Sequence, residues 1–213
     1  MGGAEGTEVW QGDCRQLAER IPADSVDLIL TDPPYRTQDL GLWPDLGRLA
    51  QRVLRPGAFL VTYAGHLDLP TEMAGLAAGG LQHWWQAAVV FQGAHPAVRA
   101  RGVRSGWRMV LIYVKPPSPA SPPWFPDLLT SDPLPDKRYH EWGQGIGPFR
   151  QLLCRFSQPG GLVLDPFVGA GTVAVAALLE GRRAIAIEMD PGHAAVARQR
   201  LALAATGPQD ASV

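Results

Sequence analysis

The sequence predicts an α/β fold, a mostly parallel sheet covered by helices on both faces. Two observations carry that prediction. Short β-rich or apolar runs at 8–11, 26–31, 58–63, 162–164 and 184–187 alternate with segments of helical periodicity. Two of those segments place apolar residues at i, i+3, i+4 and i+7: Leu46, Leu49, Ala50 and Val53, then Phe149, Leu152, Leu153 and Phe156. With 213 residues, 46% of them hydrophobic, the chain fits one domain with a sizeable core.

The elements follow in order. Glu8 to Gln11 reads as a short strand closed by Gly12-Asp13, and residues 14–20 as about two turns of helix. Val26 to Leu30 is a buried strand ending at Thr31. The first apolar stripe is a helix stopped by Pro56-Gly57, and Ala58 to Tyr63 is the next strand. Residues 71–78 are helical and end at Gly79-Gly80. Trp84 to Phe91 and Met109 to Lys115 are β-rich runs, joined by a loop whose length marks it as functional or disordered. Residues 116–136 are rich in proline and form an irregular connector without a core of their own. The second stripe stops at Pro159-Gly160-Gly161. A strand at 162–164, a helix at 170–179 and a strand from Ala184 to Ile187, ending on Glu188, come next. Asp190 caps a last helix with Pro191 at its first position. In such sheets, ligands sit at the carboxyl ends of the strands.

Composition narrows the function. The formal net charge of −1 excludes a generally basic protein, so nucleic-acid binding must come from a local patch. Cys14 and Cys154 form neither a disulfide nor a metal pattern, and the five histidines are scattered without ligand spacing. A reduced, cytoplasmic setting is expected. No basic-then-apolar leader and no apolar run near 18 residues is found, so neither export nor membrane spanning is expected.

The stretch Thr31-Asp32-Pro33-Pro34-Tyr35 closes a buried strand with a stiff turn. Both prolines fix their own φ, and neither supplies a backbone N–H. What remains is a rim of acceptors, the Asp32 carboxylate and nearby carbonyls, beside the ring of Tyr35. Such a rim suits a planar substrate that brings an N–H donor, such as the exocyclic amine of a nucleobase.

A second stretch, Leu164-Asp165-Pro166-Phe167-Val168-Gly169-Ala170-Gly171-Thr172, joins a strand to a helix. Gly169 and Gly171 let the backbone approach a ligand closely. It is not a phosphate loop, because Thr172-Val173 stands where a lysine would follow, nor a dinucleotide G-x-G-x-x-G. Glu188 closes the next strand about twenty residues on, where an acidic side chain meets ribose hydroxyls in nucleotide-binding α/β folds. Asp13, also at a strand end, is equally an acceptor for an adenine amine or a plain turn aspartate.

Together, Asp32-Pro33-Pro34-Tyr35 and Asp165-Pro166-Phe167-x-Gly-x-Gly-Thr resemble the amino-methyltransferases that use S-adenosylmethionine (SAM). The catalytic turn precedes the cofactor loop, and that permuted order resembles the β-class DNA N6-adenine and N4-cytosine methyltransferases. Gly12-Asp13, the run Ser25 to Asp32 and the tail Gly181 to Glu188 are similar to theirs as well. The resemblance implies a Rossmann-like methyltransferase fold with a mostly parallel seven-stranded sheet and circularly permuted motifs. It also implies a single domain over 1–213: a catalytic half at about 8–115, a connector or short recognition region at 116–138, and a SAM-binding half at 139–205.

Carried over, the family assigns Asp165, Pro166, Phe167, Gly169, Gly171 and Thr172 to the methionine side of SAM. It assigns Glu188 to the ribose and Asp13 to the adenine. His140 and Gln144, in Tyr139-His140-Glu141-Trp142-Gly143-Gln144, stand where the family carries a segment lying over the cofactor, although Gly145-Ile146 replaces the usual lysine-proline. Asp32, Pro33, Pro34 and Tyr35 become the catalytic turn, with Tyr35 stacking on a base flipped out of its helix. No metal is required.

The expected substrate is the N6 amine of adenine in DNA. N4 of cytosine, an RNA adenine, and a non-catalytic nucleic-acid-binding subunit are the alternatives. Arg99, Arg101, Arg104 and Arg108, close to Trp107 in the long loop, form the candidate phosphate patch, which Lys137 and Arg138 extend. Sequence readers of this family usually carry a longer recognition insertion than 116–138. A homodimer, a specificity partner or loose specificity would each account for its shortness.

Overall fold

The computed structural model describes residues 6–34, 36–93, 95–120, 124–132 and 145–206. Among these, ten strands and six helices follow one another. They are β1 (Thr7–Gln11), α1 (Cys14–Leu17), β2 (Val26–Thr31), α2 (Leu42–Val53), β3 (Leu54–Ala64), α3 (Leu69–Ala78) and β4 (Gln82–Val90). Next are β5 (Ala97–Val98), β6 (Val103–Arg104), β7 (Trp107–Val114), β8 (Leu128–Thr130) and α4 (Gly147–Phe156). The chain closes with β9 (Leu162–Asp165), α5 (Thr172–Leu179), β10 (Arg183–Glu188) and α6 (Pro191–Thr206).

The main sheet runs β1-β10-β9-β2-β3-β7-β4-β8. Every neighbouring pair is parallel except those made by β7, which is antiparallel to both β3 and β4. The sheet therefore has eight strands where seven were expected. The added one is β8, inside the proline-rich connector: Leu128, Leu129 and Thr130 lie between prolines, yet they pair with Ala88, Val89 and Val90 at the sheet edge. The long loop is also partly ordered. Ala97 pairs with Arg104 and Val98 with Val103, making a small hairpin of β5 and β6.

Strand alternation explains the two-sided core. In β2, Ile29 faces the α2 side, whereas Leu28 and Leu30 face the α4 side. Both apolar stripes are buried, Leu46, Leu49, Ala50 and Val53 on one face and Phe149, Leu152, Leu153 and Phe156 on the other. Helix α2 ends at Val53, ahead of the expected stop at Pro56-Gly57. Leu54 already turns extended (φ −64°, ψ 143°), and both residues lie within β3. Small side chains let α6 close over the far end, where Ala197 packs with Ala174, Ala186 and Val168.

This strand order creates the switch point at which α/β sheets bind ligands. β2 and β9 are neighbours, with Leu28 opposite Val163 and Ile29 opposite Leu164. From β2 the chain moves outward to β3; from β9 it moves the opposite way to β10. The two turns that leave these strands, 32–34 and 166–171, therefore emerge side by side. No described helix is long and apolar enough to cross a membrane.

Candidate active site

On the β2 side, Thr31 and Pro33 are buried and Pro34 is exposed. Between them the Asp32 side chain is 27% exposed, and its Oδ2 lies 3.6 Å from Nη1 of Arg108 on β7. Burial pushes the Asp32 carboxyl up to about 6, against the attraction of the Arg108 guanidinium. Asp32 is thus an acceptor whose charge is held by a balance. Tyr35 lies outside the described residues.

On the β9 side, Asp165 is buried and its Oδ1 accepts two hydrogen bonds, from Thr31 Oγ1 at 2.6 Å and from the Phe167 amide at 3.1 Å. Desolvation raises Asp165 to about 7; those hydrogen bonds lower it, and the nearby charges of Asp32 and Glu188 add to the rise. Pro166 is buried, and the half-buried Phe167 ring packs on the α2 side of the core.

The glycines do what the turn requires. Gly169 (φ +51°) and Gly171 (φ +89°) are left-handed, and the Gly171 amide donates to the Val168 carbonyl at 2.8 Å. A Cβ on Gly171 would meet Cα and Cβ of Ala197 at 3.1 Å, whereas one on Gly169 would meet nothing within 4 Å. The loop is therefore braced against α6 at Gly171 and open at Gly169. Thr172 begins α5, and Arg200 on α6 donates to its Oγ1 at 3.3 Å and to the Ala170 carbonyl at 2.8 Å.

Glu188 ends β10 and ties the loop down. Its Oε2 accepts from the Gly169 amide at 2.8 Å and its Oε1 from the Asp190 amide at 2.9 Å. Asp13, across β1, caps α1 through the Arg15 amide and holds the Arg15 guanidinium through both oxygens, the shortest contact being 2.5 Å. That pairing keeps the Asp13 carboxyl below the usual carboxylate range. Cys14, beside it, is buried and pushed up to about 11 by desolvation, as befits a structural thiol.

The fold brings Asp13, Asp32, Asp165 to Gly171, Thr172 and Glu188 to one rim of the sheet. It divides the arginines. Arg99, Arg101 and Arg104 are exposed on the β5–β6 hairpin, while Arg108 turns in toward Asp32. Lys137, Arg138, His140 and Gln144 lie outside the described residues. The sequence marks Thr31 only as the end of its strand, and two side chains near this rim escape the sequence reading altogether: Arg200, and Glu72 of α3, a buried carboxylate whose Oε2 accepts from the Gly65 amide at 3.0 Å. Thr31 alone had a visible signal, as a polar residue ending an apolar run.

The rim can accept hydrogen bonds from a planar amine at Asp32 and receive a second, nucleoside-like molecule over the open side of Gly169. The sequence model of the N6/N4 methylases, described as DNA methylase, matches residues 148–199. YubD of Escherichia coli (strain K12), a protein assigned as a methylase, is 32% identical over 207 residues, covering 90% of this chain and 88% of that protein. TTHA0409 of Thermus thermophilus, solved in complex with S-adenosyl-L-methionine, shares the fold with a TM-score of 0.75 at 23% identity, covering 94% of this chain and 97% of that one. The cytosine-N4-specific PvuII DNA methyltransferase does so with a TM-score of 0.78 at 19% identity, covering 93% and 87%. By its relationship to YubD and its match to the family model, the chain belongs to the N6/N4 DNA methylase family.

Proposed function

We propose that this chain transfers a methyl group from SAM to the exocyclic N6 amine of adenine in DNA. The observation that carries this reading is the juxtaposition at the switch point: the acceptor turn at Asp32 and the glycine loop at Asp165 leave adjacent parallel strands. The residues present fit the cofactor. The space over Gly169 is open, and Glu188 borders it, its Oε2 accepting from the Gly169 amide. Asp165, Pro166, Phe167, Gly169, Gly171 and Thr172 would hold the methionine part and Glu188 the ribose. Asp13 would meet the adenine, provided Arg15 yields part of its carboxylate. When bound, SAM supplies an electrophilic methyl on a sulfonium, the group that the Thermus thermophilus neighbour binds.

The chain's own residues supply acceptor chemistry. An aromatic amine is a poor nucleophile because its lone pair is delocalised into the ring. Hydrogen bonds from the amine to Asp32 and to the Pro33 carbonyl favour the tetrahedral nitrogen, whose lone pair then points at the methyl. With the methyl supplied in line from the sulfonium, Asp32 and the Pro33 carbonyl would hold the amine, and Asp32 and solvent would take the proton that the nitrogen sheds. Tyr35 stacks on the flipped base, and Arg99, Arg101 and Arg104 meet phosphates. Cytosine N4 is the second reading, favoured by the fold shared with the PvuII enzyme.

Incubation with methyl-labelled SAM and DNA, RNA or neither, followed by nucleoside analysis, tests the proposal. Label in 6-methyladenine from DNA is the expected result. Label in 4-methylcytosine selects the second reading, and label confined to RNA overturns both. Asp32→Ala is expected to abolish transfer with SAM binding largely intact.

A further inference from the structure

Sequence proximity groups Arg108 with the loop arginines, but the fold separates them. Arg99, Arg101 and Arg104 project from the β5–β6 hairpin into solvent. Arg108 is the second residue of β7, paired with Val89 of β4, and its side chain is only 25% exposed. β3 lies between β2 and β7, so the guanidinium spans a whole strand to come within 3.6 Å of Asp32 Oδ2. The Phe91 ring backs it, 5.8 Å from the guanidinium carbon. A phosphate contact needs a guanidinium that faces outward; this one is committed inward.

We propose that Arg108 is a positioning residue for the amine-accepting carboxylate, holding Asp32 ionised and aimed across the rim, and is not part of the DNA-phosphate surface. The inference rests on the amine-methylation reading above. Its physical ground is the inventory of a carboxyl group: ionised, it only accepts hydrogen bonds, whereas protonated it presents an O–H and loses acceptor capacity toward the amine. The charges packed around Asp32 pull in opposite directions. Burial favours the neutral acid and Arg108 on β7 favours the anion, while the Asp32 charge in turn raises Asp165 on β9, which also faces Glu188 on β10. With Arg108 gone, the attraction that opposes the burial of Asp32 is lost.

The test uses the full chain with two variants, Arg108→Met and Arg108→Lys, and two readouts. Carboxyl-carbon NMR titration, with Asp32 assigned by comparison with Asp32→Asn, reads the midpoint without any need for turnover. In Arg108→Met the midpoint is expected to rise by about one pH unit, and Arg108→Lys to restore most of it. Steady-state methylation of DNA across roughly pH 5.5 to 9 reads the consequence. The acid limb of kcat moves up by the same amount, so that activity falls about fivefold near pH 6 and largely recovers near pH 9, with KM for DNA little changed. An unmoved NMR midpoint overturns the pairing. An unmoved acid limb, with a raised KM and a salt slope reduced by about one, returns Arg108 to the phosphate contacts. Should Arg108→Met not fold, Arg108→Gln carries the same measurement. A wild-type protein that methylates nothing, with the Asp32 midpoint still raised in Arg108→Met, sinks the methylation reading while the ion pair itself stands.

Discussion

Thr31 Oγ1 donates a 2.6 Å hydrogen bond to Asp165 Oδ1 between residues 134 apart in the chain, both buried. It joins the strand that delivers the acceptor turn to the strand that delivers the glycine loop. The spacing between the two halves of the rim is thereby set by one side-chain contact as well as by the β2–β9 ladder.

Replacing Thr31 by valine keeps the shape and removes the donor. Asp165 keeps the Phe167 amide but loses a bond in a buried place, a cost of about 1–3 kcal/mol. The sign of its pH dependence follows from the raised pKa. Asp165, pushed up to about 7, is stabilising below its ordinary value near 4, and that contribution is lost as pH rises through 7. Thr31→Val therefore loses more stability near pH 8 than near pH 6 in urea unfolding, and Thr31→Ser restores it. Equal losses at both pH values would show that the bond does not favour the Asp165 anion.

The two glycines of the loop should separate stability from binding. Gly171→Ala forces φ +89° on a side chain and drives its Cβ into Ala197, so a loss of about 1–3 kcal/mol in stability is expected without ligand. Gly169→Ala carries only the left-handed backbone cost, about 1–2 kcal/mol, because its Cβ meets nothing. It projects into the space proposed for SAM, so calorimetric SAM affinity should fall further than stability does. Gly169→Ala with undiminished SAM affinity would move the cofactor elsewhere on the rim.

The exposed hairpin arginines give a salt test. Arg101→Ala with Arg104→Ala should weaken DNA binding on all sequences alike and lower the slope of log affinity against log salt by about two. Binding that weakens on one sequence only would assign these residues to base reading.

What is legible in the sequence is local. The stripes Leu46 to Val53 and Phe149 to Phe156 repeat within single helices, and the turn at Asp32 and the glycines at 169 and 171 announce themselves through backbone chemistry. Asp13 is legible as a turn aspartate, though its hold on Arg15 is not. The eighth strand is hidden, because three residues between prolines carry no period and form a strand only against the waiting edge of β4. So are the pairs Thr31–Asp165 and Asp32–Arg108, which depend on strand order: β9 beside β2, and β7 one strand beyond. Arg108 groups by sequence with the loop arginines, but β7 begins at Trp107 and carries it out of the loop into the sheet.

Glu72 provides the last prediction, through the loop that follows β3. Its side chain is fully buried, its Oε2 holds the Gly65 amide at 3.0 Å, and among the described residues its Oε1 meets no hydrogen-bond donor. Burial lifts the carboxyl to about 7, with the Asp68 charge adding to the rise and the Gly65 bond opposing it. An acid raised in the folded state stabilises most below its ordinary value of about 4.5, and that stability drains away as pH climbs through about 7. The share belonging to Glu72 is on the order of 2 kcal/mol between about pH 5 and pH 8. Glu72→Gln keeps an oxygen for Gly65 and cannot ionise, so its unfolding free energy should fall less steeply over that range, with the remaining slope due to Asp32 and Asp165. The effect should reach the rim, because Gly65 leads into His66, whose Nε2 lies 3.0 Å from the Trp107 carbonyl, next to Arg108. A variant whose pH slope matches the wild type would mean that Glu72 is ionised, or solvated, in the folded chain.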